Sequence, residues 1–189
     1  AMTGNPNSGK TTMFNAITGR NEKVGNWAGV TVDIKKGSVK NSLNEYDEKI
    51  IAVDLPGAYS ISPFTSEESV TRDYIINEKP DVIINIVDAT NLSRSLFFTT
   101  QLLELGIPVV IALNKTDLNI KKKTKIDIEA LSRMLNCPVI ETISTSKKGL
   151  KDVIDSALSL KGMTQIPPYS QSDLDLSTKE SVLKADKQR

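Results

Sequence analysis

Two apolar rhythms alternate along the chain. The segments 82–87 and 107–113 are apolar almost without a break, which suits strands buried on both faces of a sheet. Segment 32–39 instead alternates apolar and polar residues, as a half-exposed strand does, and a polar turn links it to a strand over 49–54 as a hairpin. A further strand falls at 139–143. Helical spacing predicts helices over 10–18, 66–77, 92–105, 126–135 and 150–160, with Gly19 stopping the first and Leu96, Leu102, Leu103 and Leu105 on the apolar stripe of the third. Residues 20–31, with Gly25, Asn26, Trp27 and Gly29, read as a mobile loop. Strands alternating with helices predict an α/β fold, a mostly parallel six-stranded sheet with helices on both faces, whose ligands bind at the carboxyl ends of the strands.

The ends of the chain are less regular. Only Ala1, Met2 and Thr3 precede Gly4, so the first strand reads as cut short. After Leu160, Pro167, Pro168 and several serines read as a linker, and residues 176–189 read as a charged helix or its beginning. The expected division is a globular unit over 1–160 and a short helical appendage over 161–189, in a fragment of a longer protein.

Composition narrows the function classes. The chain has 189 residues, 39% hydrophobic and 25% charged, with net charge +1, which suits one domain with a real core. That balance gives no electrostatic case for nucleic acid, and the basic run 121–125 reads as a solvated loop. Without histidine, imidazole catalysis and histidine metal ligation are excluded. The single cysteine, Cys137, cannot form an internal disulfide and reads as a buried apolar residue. No apolar run reaches the ~20 residues that span a bilayer, so the fragment itself reads as soluble.

The chemistry lies in four motifs placed after predicted strands. Gly4-Asn5-Pro6-Asn7-Ser8-Gly9-Lys10-Thr11 is the G-x-x-x-x-G-K-[ST] phosphate loop, running into a helix through Thr12. Its N–H groups suit phosphate oxygens, Lys10 neutralises the β/γ oxygens, and the Thr11 hydroxyl can ligate Mg²⁺. Asp54-Leu55-Pro56-Gly57 is D-x-x-G: Asp54 would hold Mg²⁺ through a water, and the Gly57 N–H can meet a γ-phosphate. Asn114-Lys115-Thr116-Asp117 is N-K-x-D. The Asp117 carboxylate can accept from guanine N1–H and the exocyclic amine, donors that adenine lacks there. Asn114 would tether neighbouring loops, and the Lys115 stem would pack along the base. Ser144-Thr145-Ser146 follows the last strand, where a backbone N–H would meet the guanine oxygen. Thr31 is the candidate that completes the Mg²⁺ shell, with Gly29 and Val30 beside it.

Catalytic roles are expected for Asn7, Lys10, Thr31 and Gly57. Ras-like GTPases place a glutamine directly after D-x-x-G to orient the attacking water. Ala58 stands there in this chain, and no internal arginine finger is evident. Slow intrinsic hydrolysis is therefore expected unless another charge enters. The Asn7 amide oxygen could hold K⁺ at the β/γ bridge, with carbonyls near Gly25 and Trp27 completing its shell.

Together with Val24-Gly25-Asn26-Trp27-Ala28-Gly29-Val30-Thr31-Val32, Asp54–Ser60 and Asn85–Leu92, the phosphate loop resembles the cytoplasmic GTPase domain of the ferrous iron transport protein B family. The resemblance covers roughly residues 4–160. It implies a TrmE-Era-like P-loop G domain, hydrolysis of GTP to GDP with Mg²⁺, and potassium activation through Asn7. It also implies a regulatory helical region, then a membrane domain of the same protein that moves Fe²⁺. The G domain would lie on the cytoplasmic side of the membrane, and small accessory Feo proteins and an oligomer are the further partners it allows. Two other readings stay open: a slow GTP/GDP switch, and a ribosome-associated GTPase of the same class. Glu67 and Glu68 read as a solvated helix start.

Overall fold

The computed structural model describes residues 1–19, 22–26, 33–45, 48–62 and 66–168. Among these residues seven strands form one sheet in the order β2-β3-β4-β1-β5-β6-β7. They are β1 (Met2–Gly4), β2 (Glu22–Asn26), β3 (Asp33–Ser38), β4 (Ile51–Asp54), β5 (Ile83–Asp88), β6 (Val109–Asn114) and β7 (Val139–Thr142). Strands β4, β1, β5, β6 and β7 run parallel, and β3 turns back antiparallel to β4 as the predicted hairpin. The three-residue β1 lies between β4 and β5, pairing Met2 with Asp54 on one side and Met2, Thr3 and Gly4 with Ile84, Asn85 and Ile86 on the other.

The sheet exceeds the six predicted strands by β2, which pairs antiparallel with the edge of β3. Its sequence, Glu-Lys-Val-Gly-Asn, carries no apolar alternation, so pattern alone reads it as loop. Backbone pairing with β3 builds the strand instead.

Among the described residues there are six α-helices: α1 (Lys10–Thr18), α2 (Ser66–Glu78), α3 (Leu92–Leu103), α4 (Thr116–Lys121), α5 (Ile128–Leu135) and α6 (Leu150–Ser159). Successive side chains of a strand point to opposite faces, and β6 shows the consequence. Val109, Ile111 and Leu113 join a core layer with Val70 and Ile75 of α2, Phe98 and Leu102 of α3 and Leu131 of α5. Val110 and Ala112 join the other layer with Met13, Phe14 and Ile17 of α1 and Val153 and Ile154 of α6. Every residue of β6 is buried. A continuous apolar run is what such a strand needs, since each fully buried large side chain contributes about 1.5–3 kcal/mol.

Helix α1 ends as predicted. Gly19 takes a φ of 85° and donates its N–H to the Asn15 carbonyl. Helix α4 has no counterpart among the predicted helices. Its six residues are too few for a periodic signal, and Asn119 fixes it by donating to the Ala89 carbonyl.

Beyond α6, residues 161–168 are tied to the domain where the sequence reads as linker. Gln165 is buried, accepts from the Val109 N–H and donates to the Asn136 carbonyl, and its own N–H reaches Gly106. The expected helix over 176–189 lies outside the described residues. No helix among the described residues is long and apolar enough to cross a membrane.

Candidate nucleotide site

Parallel strands deliver their carboxyl ends to one edge of the sheet. Register places Asp88 of β5 beside Asn114 of β6, and Asn114 beside Thr142 of β7. Gly4 ends β1 and Asp54 ends β4 on the same side. The loops that follow these residues enclose a cleft of about 520 Å³. Asn5, Pro6, Asn7, Gly9, Lys10, Thr11, Thr12, Gly57 and Lys115 line it.

The phosphate loop wraps tightly before α1. Ser8 donates its N–H to the Asn5 carbonyl, and Asn7 and Gly9 take left-handed φ values of 64° and 95°. Glycine is required at position 9: a Cβ there would lie 2.3 Å from the Asn114 amide nitrogen. No side chain among the described residues caps α1, and its first turn holds no acidic residue. Its leading N–H groups are therefore directed at the cleft, an arrangement suited to phosphate. The amide oxygen of Asn5 and the hydroxyl of Ser8 are buried in the loop without a partner among the described residues.

Lys10, Thr11 and Asp54 converge. The Lys10 ammonium donates to Asp54 Oδ1 at 2.5 Å, and Thr11 Oγ1 lies 3.5 Å from Asp54 Oδ2. Asp54 is buried and offers hard oxygen donors beside a hydroxyl, a set that fits Mg²⁺. Gly57 follows, packed so closely on the phosphate loop that a Cβ would sit 3.2 Å from Pro6. The next N–H, of Ala58, donates to the Gly4 carbonyl.

Ala58 is 1% exposed and belongs to the core layer beneath α2 and α3. Its side chain points away from the cleft, so the residue after Gly57 does not present a group to a nucleotide at all. The loop beyond it is held from the side. Tyr59 donates its N–H to the Glu68 carboxylate, and the Arg94 guanidinium lies 4.3 Å from the Tyr59 ring centre. Glu68 is buried, contrary to the solvated helix start read from the sequence, because its carboxylate serves this backbone group. The side chain of Glu67 lies outside the described residues.

The N-K-x-D loop is joined to the phosphate loop by Asn114. This buried side chain donates to the Ser8 carbonyl at 2.9 Å. Its oxygen accepts from the Ser144 N–H at 3.0 Å and the Ser144 hydroxyl at 2.9 Å. Ser144 thus faces inward to hold loops together, while Thr145 and Ser146 are exposed and Ser146 closes a turn on Ile143. Lys115 takes a left-handed φ of 65°, and its ammonium reaches the Asn7 carbonyl and Asp88, each at 2.6 Å. Asp117 sits half-buried in the first turn of α4.

The structure therefore gathers Asn5, Pro6, Asn7, Ser8, Gly9, Lys10, Thr11, Thr12, Asp54, Gly57, Asn114, Lys115 and Ser144 about one cleft, with Asp117 next to it in the same loop as Lys115. Gly25 lies in β2 rather than in a loop. Trp27, Gly29, Val30 and Thr31 lie outside the described residues. Sequence reasoning missed the parts played by Glu68, Arg94 and Asp88. Only Asp88 stood in a motif already singled out.

Residues 1–157 match the family described as ferrous iron transport protein B. The chain belongs to that family. It is 47% identical over 154 residues to the Fe(2+) transporter FeoB of Salmonella typhimurium, covering 79% of this chain and 19% of the relative. The chain thus spans about a fifth of the length of the curated relatives it matches. The cytosolic domain of L. pneumophila FeoB superposes with a TM-score of 0.79 at 40% identity, covering 86% of this chain and 63% of that one. S. thermophilus NFeoB bound to GDP.AlF4- and K+ gives 0.73 at 47% identity, with 87% and 61% covered. The fold is that of the family's P-loop G domain.

Proposed function

We propose that this chain binds GTP with Mg²⁺ in the cleft, hydrolyses it to GDP and phosphate, and forms the cytoplasmic G domain of a ferrous iron transporter. The observation that carries the reading is the joining of the phosphate loop to the N-K-x-D loop and to Ser144 through one buried side chain, Asn114. Residues 5–12 surround the phosphates, with Lys10 on the β/γ oxygens. Thr11, Asp54 and Thr31 hold Mg²⁺, whose charge offsets the charge that builds on the phosphates. Gly57 meets the γ-phosphate, Gly29 and Val30 flank it, Lys115 and Asp117 receive the base, and the turn at Ser144, Thr145 and Ser146 closes on the guanine oxygen.

Asn7 bears the activating role. It lines the cleft with an exposed side chain, and a relative in this family was solved with K+ beside GDP.AlF4-. Asn7, with carbonyls near Gly25 and Trp27, would hold K⁺, which would supply the positive charge that an arginine finger would otherwise bring. In the whole protein, residues 1–160 act as the G domain. Residues 161–189 lead toward the membrane domain, where the nucleotide state couples to Fe²⁺ uptake, with accessory proteins or further copies as partners. Ala58, buried with no group to offer water, favours a slow-cycling GTP/GDP switch as the second reading.

The test is nucleotide competition against fluorescent GDP. GDP should displace it at least about 1,000-fold better than ADP, because ADP strands the Asp117 carboxylate. Asp117→Asn should shift preference toward xanthosine diphosphate. Equal competition by ADP contradicts the reading.

A further inference from the structure

Asp88 belongs to a motif that the functional reading leaves unused. It ends β5, opposite Asn114 of β6. Its carboxylate divides its two oxygens. Oδ1 accepts from the Thr90 N–H at 2.9 Å and the Thr90 hydroxyl at 2.7 Å, capping the short 3-10 turn Ala89–Asn91. Oδ2 accepts from the Lys115 ammonium at 2.6 Å. That ammonium also donates to the Asn7 carbonyl at 2.6 Å.

The side chains of Asp88 and Lys115 are 16% and 31% exposed, so the pair is only partly screened by water. Burial raises the Asp88 carboxyl, but the hydrogen bonds from Lys115 and Thr90 outweigh it and hold the group below its usual range. A lysine stem is flexible, and rotamer freedom works against keeping it stretched across a cleft. Anchoring its ammonium on a carboxylate whose other oxygen is held by the backbone N–H of Thr90 removes that freedom. The same ammonium holds the carbonyl of Asn7 in its left-handed conformation, and so fixes where the Asn7 side chain starts.

We propose that Asp88 is a positioning residue for the nucleotide site. It holds Lys115 as a rigid platform for the base and, through Lys115, sets the phosphate loop at Asn7. The inference rests on the guanine-nucleotide reading of the cleft.

A double-mutant cycle tests it, with release of fluorescent GDP followed by stopped flow and each variant's thermal midpoint recorded. Asp88→Asn keeps an acceptor for Thr90 and turns an amide donor toward Lys115. Lys115→Met keeps the apolar stem and removes the ammonium. Thr90→Ala weakens the cap and leaves the Lys115 contact. Asp88→Asn should speed release about tenfold, the loss expected for a charge-assisted bond. The Asp88→Asn/Lys115→Met double variant should release no faster than Lys115→Met alone, and Thr90→Ala should release as the wild type does. Additive effects of Asp88→Asn and Lys115→Met would overturn the inference, as would Thr90→Ala matching Asp88→Asn or unchanged release in Asp88→Asn. If Asp88→Asn does not fold, Lys115→Met and Thr90→Ala decide: the inference requires faster release in the first and no change in the second. Wild-type protein that does not bind the probe refutes the guanine reading itself, a separate outcome.

Discussion

Asn114→Ala should destabilise the domain by about 3 kcal/mol, although it removes only a small polar side chain. Asn114 is 2% exposed and makes three well-formed bonds, to the Ser8 carbonyl and to the N–H and hydroxyl of Ser144. A fourth, from the Thr142 hydroxyl, is long at 3.4 Å. Each good intramolecular hydrogen bond contributes about 1 kcal/mol net. The sum is about 3 kcal/mol, against the roughly 5–15 kcal/mol that holds a domain together. Urea unfolding reads it directly. With an m-value of about 2 kcal/mol/M, the midpoint should fall by about 1.5 M. Ser144→Ala removes only the hydroxyl contact and should lose about 1 kcal/mol. If Asn114→Ala costs no more than Ser144→Ala, the view of Asn114 as the tie between three loops is refuted.

Further outcomes follow from the burial of two residues. Ala58→Gln should leave GTP turnover no faster and lower stability by about 1–3 kcal/mol, because the added atoms enter a filled core layer rather than the cleft; faster turnover in a steady-state assay would contradict this. Cys137 is 5% exposed and its thiol is pushed up to about 12 by burial, so native protein should resist iodoacetamide at pH 8 until urea unfolds it. Because the unfolded thiol ionises first, stability should decline as pH rises from about 9 toward 12, and Cys137→Ser should flatten that decline in pH-dependent unfolding.

Much of this architecture is legible in the residues. The run 109–113 is apolar at every position because both faces of β6 are covered, and Gly19 stops α1 because only glycine takes its left-handed cap cheaply. The phosphate loop, D-x-x-G and N-K-x-D could be placed because each follows a strand whose direction the α/β pattern fixes. What escaped depends on contacts between distant segments. Strand β2 has no apolar rhythm and exists through its pairing with β3. Glu68 looks like a solvated charge until the Tyr59 N–H is brought to it across a turn. Gln165 lies among prolines and serines, yet packs against the start of β6. The Asp88 motif was visible, but its meeting with Lys115 follows from register alone.

The most direct measurement is GTP turnover by the purified chain in K⁺ and in Na⁺, with Mg²⁺ present, beside an Asn7→Ala variant. A cation-assisted G domain predicts faster turnover in K⁺ and no such difference in Asn7→Ala. Equal rates in both salts for the wild type, or a K⁺ response that survives Asn7→Ala, would contradict it.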